Sequence, residues 1–380
     1  MSRLVSGPGA TGGVVLVTGA AGLVGTQVCR ELLARGRTVL ALVHRVATLA
    51  DADGPVHSPR LHILRGDVTR EGLGLSAEDA ALAEAADTVV HAAATTDFAA
   101  PQEVYDTLNV GGTRHVVGFA TGTGARLVHV STTYLCGRFE NVAGPAATFT
   151  EAMLDEGQPF DNGYEESKSR AEAEVRRAGA RGLDVAVVRP GIVCGHSRSG
   201  RLREYRNLYL VLKLITEGKL RTLPGRYGAT LALAPIDLVT RVIADVVTTG
   251  VTGRTFHAVG ADEITLRDVS DVLAEYPCFH VNTFVPTASF SPDQLGRRER
   301  LYYDRVGRDY TAYFDRTVRF GTTNVRLLLA ETGGDLPASG PDLLRRLVDD
   351  CLRTGYLADG LPDVDTVVAA HAGAGTGGVR

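Results

Sequence analysis

The chain predicts an α/β fold, a doubly wound parallel sheet carrying a smaller C-terminal part. Three observations predict it. Up to about residue 260, short β-branched runs alternate with longer helical patterns, as the units of a parallel sheet do. Directly after the first of these runs, LVTGAAGLVG (16–25) places three glycines three residues apart. Beyond Arg198 the alternation becomes irregular and ends in a tyrosine-dense stretch.

The strands are predicted at 13–19, 38–44, 61–67, 88–94, 126–132 and 184–191, all short and rich in valine. Between the first two, GLVGTQVCRELLARG places Val24, Val28, Leu32 and Leu33 on one helical face, and Gly36 stands where a helix would stop. Residues 12–197 therefore form a nucleotide-binding domain, with further sheet elements returning at about 229–260. Residues 198–358 are mainly a substrate-binding part. Residues 1–11 and 359–380, rich in Gly and Ala, are expected to be mobile tails.

Charge and composition narrow the partners. The 40 Lys and Arg against 44 Asp and Glu leave no basic footprint for nucleic acid. No apolar run reaches the roughly 20 residues that a membrane helix needs, and the N-terminus lacks a signal-peptide core, so a cytoplasmic protein is expected. Cys29, Cys136, Cys194, Cys278 and Cys351 are scattered and never spaced CxxC; they are read as small buried apolar residues, with no metal site.

The glycines make room for a phosphate. Gly19 ends the strand, Gly22 lies in the turn, and Gly25, after Leu23 and Val24, lies in the first helical turn. A dinucleotide pyrophosphate approaches the backbone there and accepts N–H bonds at the positive end of the helix, in the manner of a Rossmann-type sheet. The second strand ends ALVHR, with His44 and Arg45 and no acid to bind a ribose 2′-hydroxyl, which favours NADPH. A solvated loop cation is the other reading of Arg45.

NGYEESKSRAEAEV carries Tyr164 and Lys168 four apart on a predicted helix, hence on one face. An ammonium near a phenol is expected to lower its pKa and open it to acid–base work. VSTTYLCG ends the preceding strand with hydroxyls that could steady a developing oxyanion, and strand alternation sends only one of Ser131 and Thr132 into the site.

The spacing GxxGxxG, with LRGDVT, HAAA (91–94) and NVGGT (109–113), resembles the extended short-chain dehydrogenase/reductase superfamily. The resemblance implies a nicotinamide dinucleotide. It implies adenine contact at Asp67 and the adjoining Val68, cofactor contact at Ala92 and Ala93, and a helix opened by Asn109. It places the nicotinamide carboxamide against Pro190, Gly191, Ile192 and Val193, and the catalytic hydroxyl on Thr132, counted back from Gly137. The stretch 66–116, followed by VVRPGIVCGHSRSG and APIDLV, narrows it to the thioester-reductase and fatty acyl-CoA reductase branch, over about residues 13–260.

That branch implies an acyl thioester on coenzyme A or a carrier protein, or the derived aldehyde, as substrate. The alternatives are a ketoreductase, alcohol dehydrogenase, epimerase or dehydratase acting on a natural product or sugar nucleotide, and, more remotely, a non-catalytic NADP sensor. Arg198, Arg201, Arg203 and Arg206 form a basic loop, read as solvated or as meeting a phosphate. Tyr302, Tyr303, Tyr310 and Tyr313 suit a wall around an extended apolar ligand, a core, or the interface of a homodimer.

Overall fold

Strands β1 (Val14–Thr18), β2 (Thr38–Val43), β3 (Leu61–Arg65), β4 (Thr88–His91), β5 (Arg126–Val130) and β6 (Val185–Pro190) occupy the predicted positions in a computed structural model that describes residues 12–46 and 48–357. Short strands Ile192–Cys194 (β7) and Leu233–Pro235 (β8) pair outside the main sheet, and Thr255–Ala258 (β9) returns to it. The seven-stranded sheet runs β9-β6-β5-β4-β1-β2-β3, parallel throughout. Val15, Leu16, Val17 and their neighbours are fully buried, as expected for strands covered on both faces.

Helix α1 (Leu23–Ala34) and later helices α5 (Ile236–Thr249) and α6 (Thr323–Glu331) cover one face, their apolar sides merging with Val17, Val90 and Val188. Helices α2 (Gly112–Thr123) and α3 (Gly163–Ala180) cover the other, through Val116, Ala120 and Val175. From β1 the chain winds to β2 and β3 on one side and then places β4 on the other. The crevice at that reversal opens outside the C-terminal ends of β1 and β4.

A separate core joins α4 (Leu208–Thr216), α7 (Pro341–Arg353) and the tyrosine-rich stretch. Tyr302, Tyr303, Tyr310 and Tyr313 are all buried in it. The later chain is not wholly on the substrate side, however, since α6 closes the sheet beside α5. Cys278 is exposed, against expectation, while the other four cysteines are buried. The tails expected to be mobile, 1–11 and 359–380, lie outside the described residues.

In the basic loop, Arg198, Arg201 and Arg206 are exposed, while two of the four arginines also bond backbone carbonyls. Arg201 Nη2 donates to the Ala52 carbonyl at 2.5 Å, and Arg203 reaches the carbonyls of Ala50 and, at 3.2 Å, Ala21. Arg206 pairs with Glu204 at 2.5 Å. Guanidinium groups here strap the loop to the glycine turn and to the hairpin after β2. Among the described residues no group of His, Cys, Asp or Glu could hold a metal ion, and no helix is long and apolar enough to cross a membrane.

Candidate active site

Gly19 has φ +66°, and a Cβ there would stand 2.7 Å from the Ala93 nitrogen; at Gly25 it would stand 2.1 Å from the Gly19 carbonyl oxygen. The turn is thus closed to side chains, and α1 begins at Leu23 with no side-chain cap on its N–H groups. A cavity of about 310 Å³ starts at this turn, where Gly19, Gly22, Leu23, Val24 and Gly25 line it. Ala92 and Ala94 border it from the end of β4, and Gly191, Ile192 and Val193 from β6 and β7. This bare backbone cradle fits the pyrophosphate and nicotinamide of a dinucleotide.

Thr132 and Tyr164 also line the cavity, their hydroxyls near enough for Thr132 to favour the phenolate. Thr132 Oγ1 accepts from the Tyr134 amide at 3.2 Å and lies 3.4 Å from the Pro190 carbonyl oxygen. The Ser131 hydroxyl is buried without a hydrogen-bond partner among the described residues, and Ser131 is not among the residues that line the cavity. The geometry therefore separates the two hydroxyls that the sequence left open: only Thr132 lines the cavity together with the phenol.

Lys168 is buried one turn below Tyr164, its Nζ donating to the Val130 carbonyl at 2.9 Å. Burial lowers the ammonium pKa to about 8, against the opposing pull of Glu172. The phenol does not follow the sequence expectation. Burial pushes Tyr164 up to about 12, the Thr132 hydrogen bond only partly offsetting it, because desolvation of a phenolate outweighs the nearby dipoles. As the structure stands, Tyr164 is a protonated acid.

The outer cofactor residues are less uniformly placed. His44 Nδ1 stands 3.8 Å from Asp67 Oδ2, so β2 and β3 end in a mixed-charge shelf rather than a purely cationic one. Arg45 is held in an interaction of its own. Val68 is buried, its carbonyl bonded by the His115 ring at 2.9 Å. Asn109 does not open a helix; it sits in a π-helical turn, Tyr105–Gly111, of a helical segment already under way at Gln102. Its amide is committed to Thr95 and, at 2.9 Å, to Ser167 Oγ, so it braces α3 from behind.

Several residues escaped the sequence reading. Phe98 bridges Tyr164, Tyr310 and Tyr313, with ring centroids 5.5, 5.5 and 5.4 Å away, and with Tyr134 makes an aromatic wall. No local pattern marks Phe98 as part of it. Glu172 was legible as the next residue along the face of Tyr164 and Lys168. The His91 and His129 rings lie 5.4 Å apart, tilted by 36°, beneath the site and are held neutral by burial next to Lys168, His91 falling to about 3.

Fold and site together define an NAD(P)-dependent oxidoreductase of the extended short-chain type. A family model described as male sterility protein matches residues 17–243, and the chain belongs to that family. Within it, the chain is of the thioester-reductase-like branch. Glycine betaine reductase ATRR of Emericella nidulans is 34% identical over 217 residues, covering 56% of this chain and 17% of that protein. Nonribosomal peptide synthetase asaC of Aspergillus flavus is 26% identical over 396 residues, covering 91% of this chain and 37% of that protein. The chain thus spans well under half the length of either relative. The terminal R domain from the myxalamid PKS-NRPS biosynthetic pathway superposes with a TM-score of 0.75 at 25% identity, over 92% of this chain and 94% of that one.

Proposed function

We propose that this enzyme uses NADPH to reduce an acyl thioester, carried on coenzyme A or on a carrier protein, to the aldehyde. The observation that carries the reading is the single cavity that runs from the glycine cradle past Thr132 and Tyr164 to an apolar aromatic wall. A nicotinamide cofactor bound in the cradle supplies hydride to the carbonyl carbon. Thr132 and Tyr164 then hold the oxygen on which charge develops, and Tyr164, protonated as found, donates to it. As the hemithioacetal collapses, its hydroxyl returns its proton to the Tyr164 phenolate, the carbonyl re-forms and the expelled thiolate takes a proton from solvent. Lys168 supplies the positive charge beneath the phenol that makes proton loss from Tyr164 tolerable.

Terminal reductase domains and peptide synthetases among the similar proteins support the thioester as substrate. Arg45 and His44 at the end of β2, with no acid on that strand end, support the 2′-phosphate. The test is steady-state oxidation of NADPH against acyl-CoA esters, N-acetylcysteamine thioesters, aldehydes and cyclic ketones, with free thiol assayed in parallel. Thiol release in step with NADP⁺ is the expected result. Reduction of an aldehyde or ketone with no thiol released from any thioester would overturn the thioester while leaving a carbonyl reductase. Tyr164→Phe should lower turnover by roughly 10²-fold with cofactor binding retained.

A further inference from the structure

Asn207 occupies the N-cap position of α4 yet does not cap it. Its φ of +48° with ψ −102° is a backbone state that side-chain-bearing residues avoid, and its side chain makes no bond to the helix N–H groups. An asparagine in extended conformation at this position would relieve the strain and cap the helix. Both local gains are forgone. Of the three non-glycine residues with positive φ among the described residues, Leu73, Ala146 and Asn207, only Asn207 lines the catalytic cavity.

The amide is aimed instead by Tyr310, whose hydroxyl donates to Oδ1 at 3.2 Å. With its oxygen engaged, the amide keeps Nδ2, a donor for which no bond is found among the described residues, on a side chain that lines the cavity. Tyr310 is itself two ring contacts from the catalytic phenol, through Phe98. The surroundings there are Leu208, Val211 and the aromatic wall. Of the charged neighbours, Glu204 is shared between Arg203 and Arg206.

We infer that Asn207 recognises the substrate, its Nδ2 donating to an amide carbonyl that the substrate carries close to the reacting carbon. This rests on the reductase reading and deepens it, because a plain fatty acyl group has no such acceptor. The amide could belong to the pantetheine-like thiol arm or to a peptidyl acyl group; the chemistry is the same, and the substrates tell them apart. Strain held at a binding residue is a recurrent cost of presenting a group in one orientation.

The experiment compares KM values with NADPH for hexanal, which has no amide, for the N-acetylcysteamine thioester of hexanoic acid, with its amide on the thiol side, and for N-acetyl-leucinal, with its amide on the acyl side. Asn207→Asp keeps the acceptor for Tyr310 and removes the donor, and Asn207→Ala removes both. In each variant KM for an amide-bearing substrate should rise about fivefold or more, the scale of one neutral hydrogen bond. KM for hexanal should stay within about twofold, and the amide substrate that responds identifies the side recognised. Unchanged KM values for both amide substrates, or an equal rise for hexanal, overturn the inference. A wild type that reduces none of the three overturns the reductase reading instead. Asn207→Gly supplies an independent readout, since glycine adopts this conformation freely. It should melt no lower than the wild type and above Asn207→Ala, while losing substrate affinity as Ala does. A Gly variant that melts at or below Ala contradicts the stored strain.

Discussion

Glu172 and Arg189 meet with neither side chain exposed: Arg189 Nη2 lies 2.6 Å from Oε1 and Nε 2.9 Å from Oε2. The pair ties α3, which carries Tyr164 and Lys168, to β6, whose end passes the nicotinamide side of the cavity. Removing one charge strands the other in a low dielectric. Glu172→Gln should therefore cost about 3 kcal/mol or more of stability in urea unfolding. The double change Glu172→Gln with Arg189→Met should recover much of it. A single variant as stable as wild type would show the pair to be dispensable.

The ammonium of Lys168 sets a pH dependence. Its folded-state pKa of about 8 lies below the ordinary lysine value of 10.5, so the native state holds fewer protons than the unfolded chain between those limits. The cost of burying the charge is fully present below pH 8 and is relieved as pH rises, so stability should rise from pH 8 toward 10. Lys168→Met should lack that slope in denaturant titrations. Activity should run the opposite way, with kcat/KM for reduction falling as pH passes about 8, because the charge beneath Tyr164 is lost.

Thr132→Ala removes the hydroxyl that lines the cavity beside the phenol and should lower kcat by roughly 10²-fold. Ser131→Ala, at a hydroxyl that does not line the cavity, should change kcat by less than about threefold. Equal losses in steady-state assays would mean that the strand end is repositioned when substrate binds.

Cofactor choice is expected to be read at the shelf formed by His44, Arg45 and Asp67. A 2′-phosphate gains charge-assisted bonds there, so NADPH should bind at least about tenfold more tightly than NADH, near 1.4 kcal/mol. Arg45→Ala should erase most of that margin. Equal dissociation constants by calorimetry for the unmodified protein would instead point to Asp67 as the group that reads the ribose.

The six strands were legible because both faces of a parallel sheet are buried, which leaves uninterrupted valine runs such as VVLVT and VAVVRP. Tyr164 and Lys168 were legible because helical spacing alone puts them on one face. What stayed hidden depends on contacts across the chain. The aromatic wall joins Phe98 to Tyr310 and Tyr313, more than two hundred residues later. Whether Arg203 meets solvent, a phosphate or the Ala21 carbonyl is decided by where its loop lands. The direction of the Tyr164 shift was misjudged because the sequence shows the neighbouring cation and not the depth of burial.

Tyr310, Tyr313 and α4 come from chain segments that contribute nothing to the strands, the glycine turn or the face of α3 that bears Tyr164. Reaction and selectivity are thus written in separable stretches of sequence. Drift or deliberate change at Leu208, Val211, Tyr310 or Phe314 can reshape the ligand accepted while the hydride-transfer geometry is inherited intact, so one catalytic frame can serve a succession of unrelated carbonyl compounds.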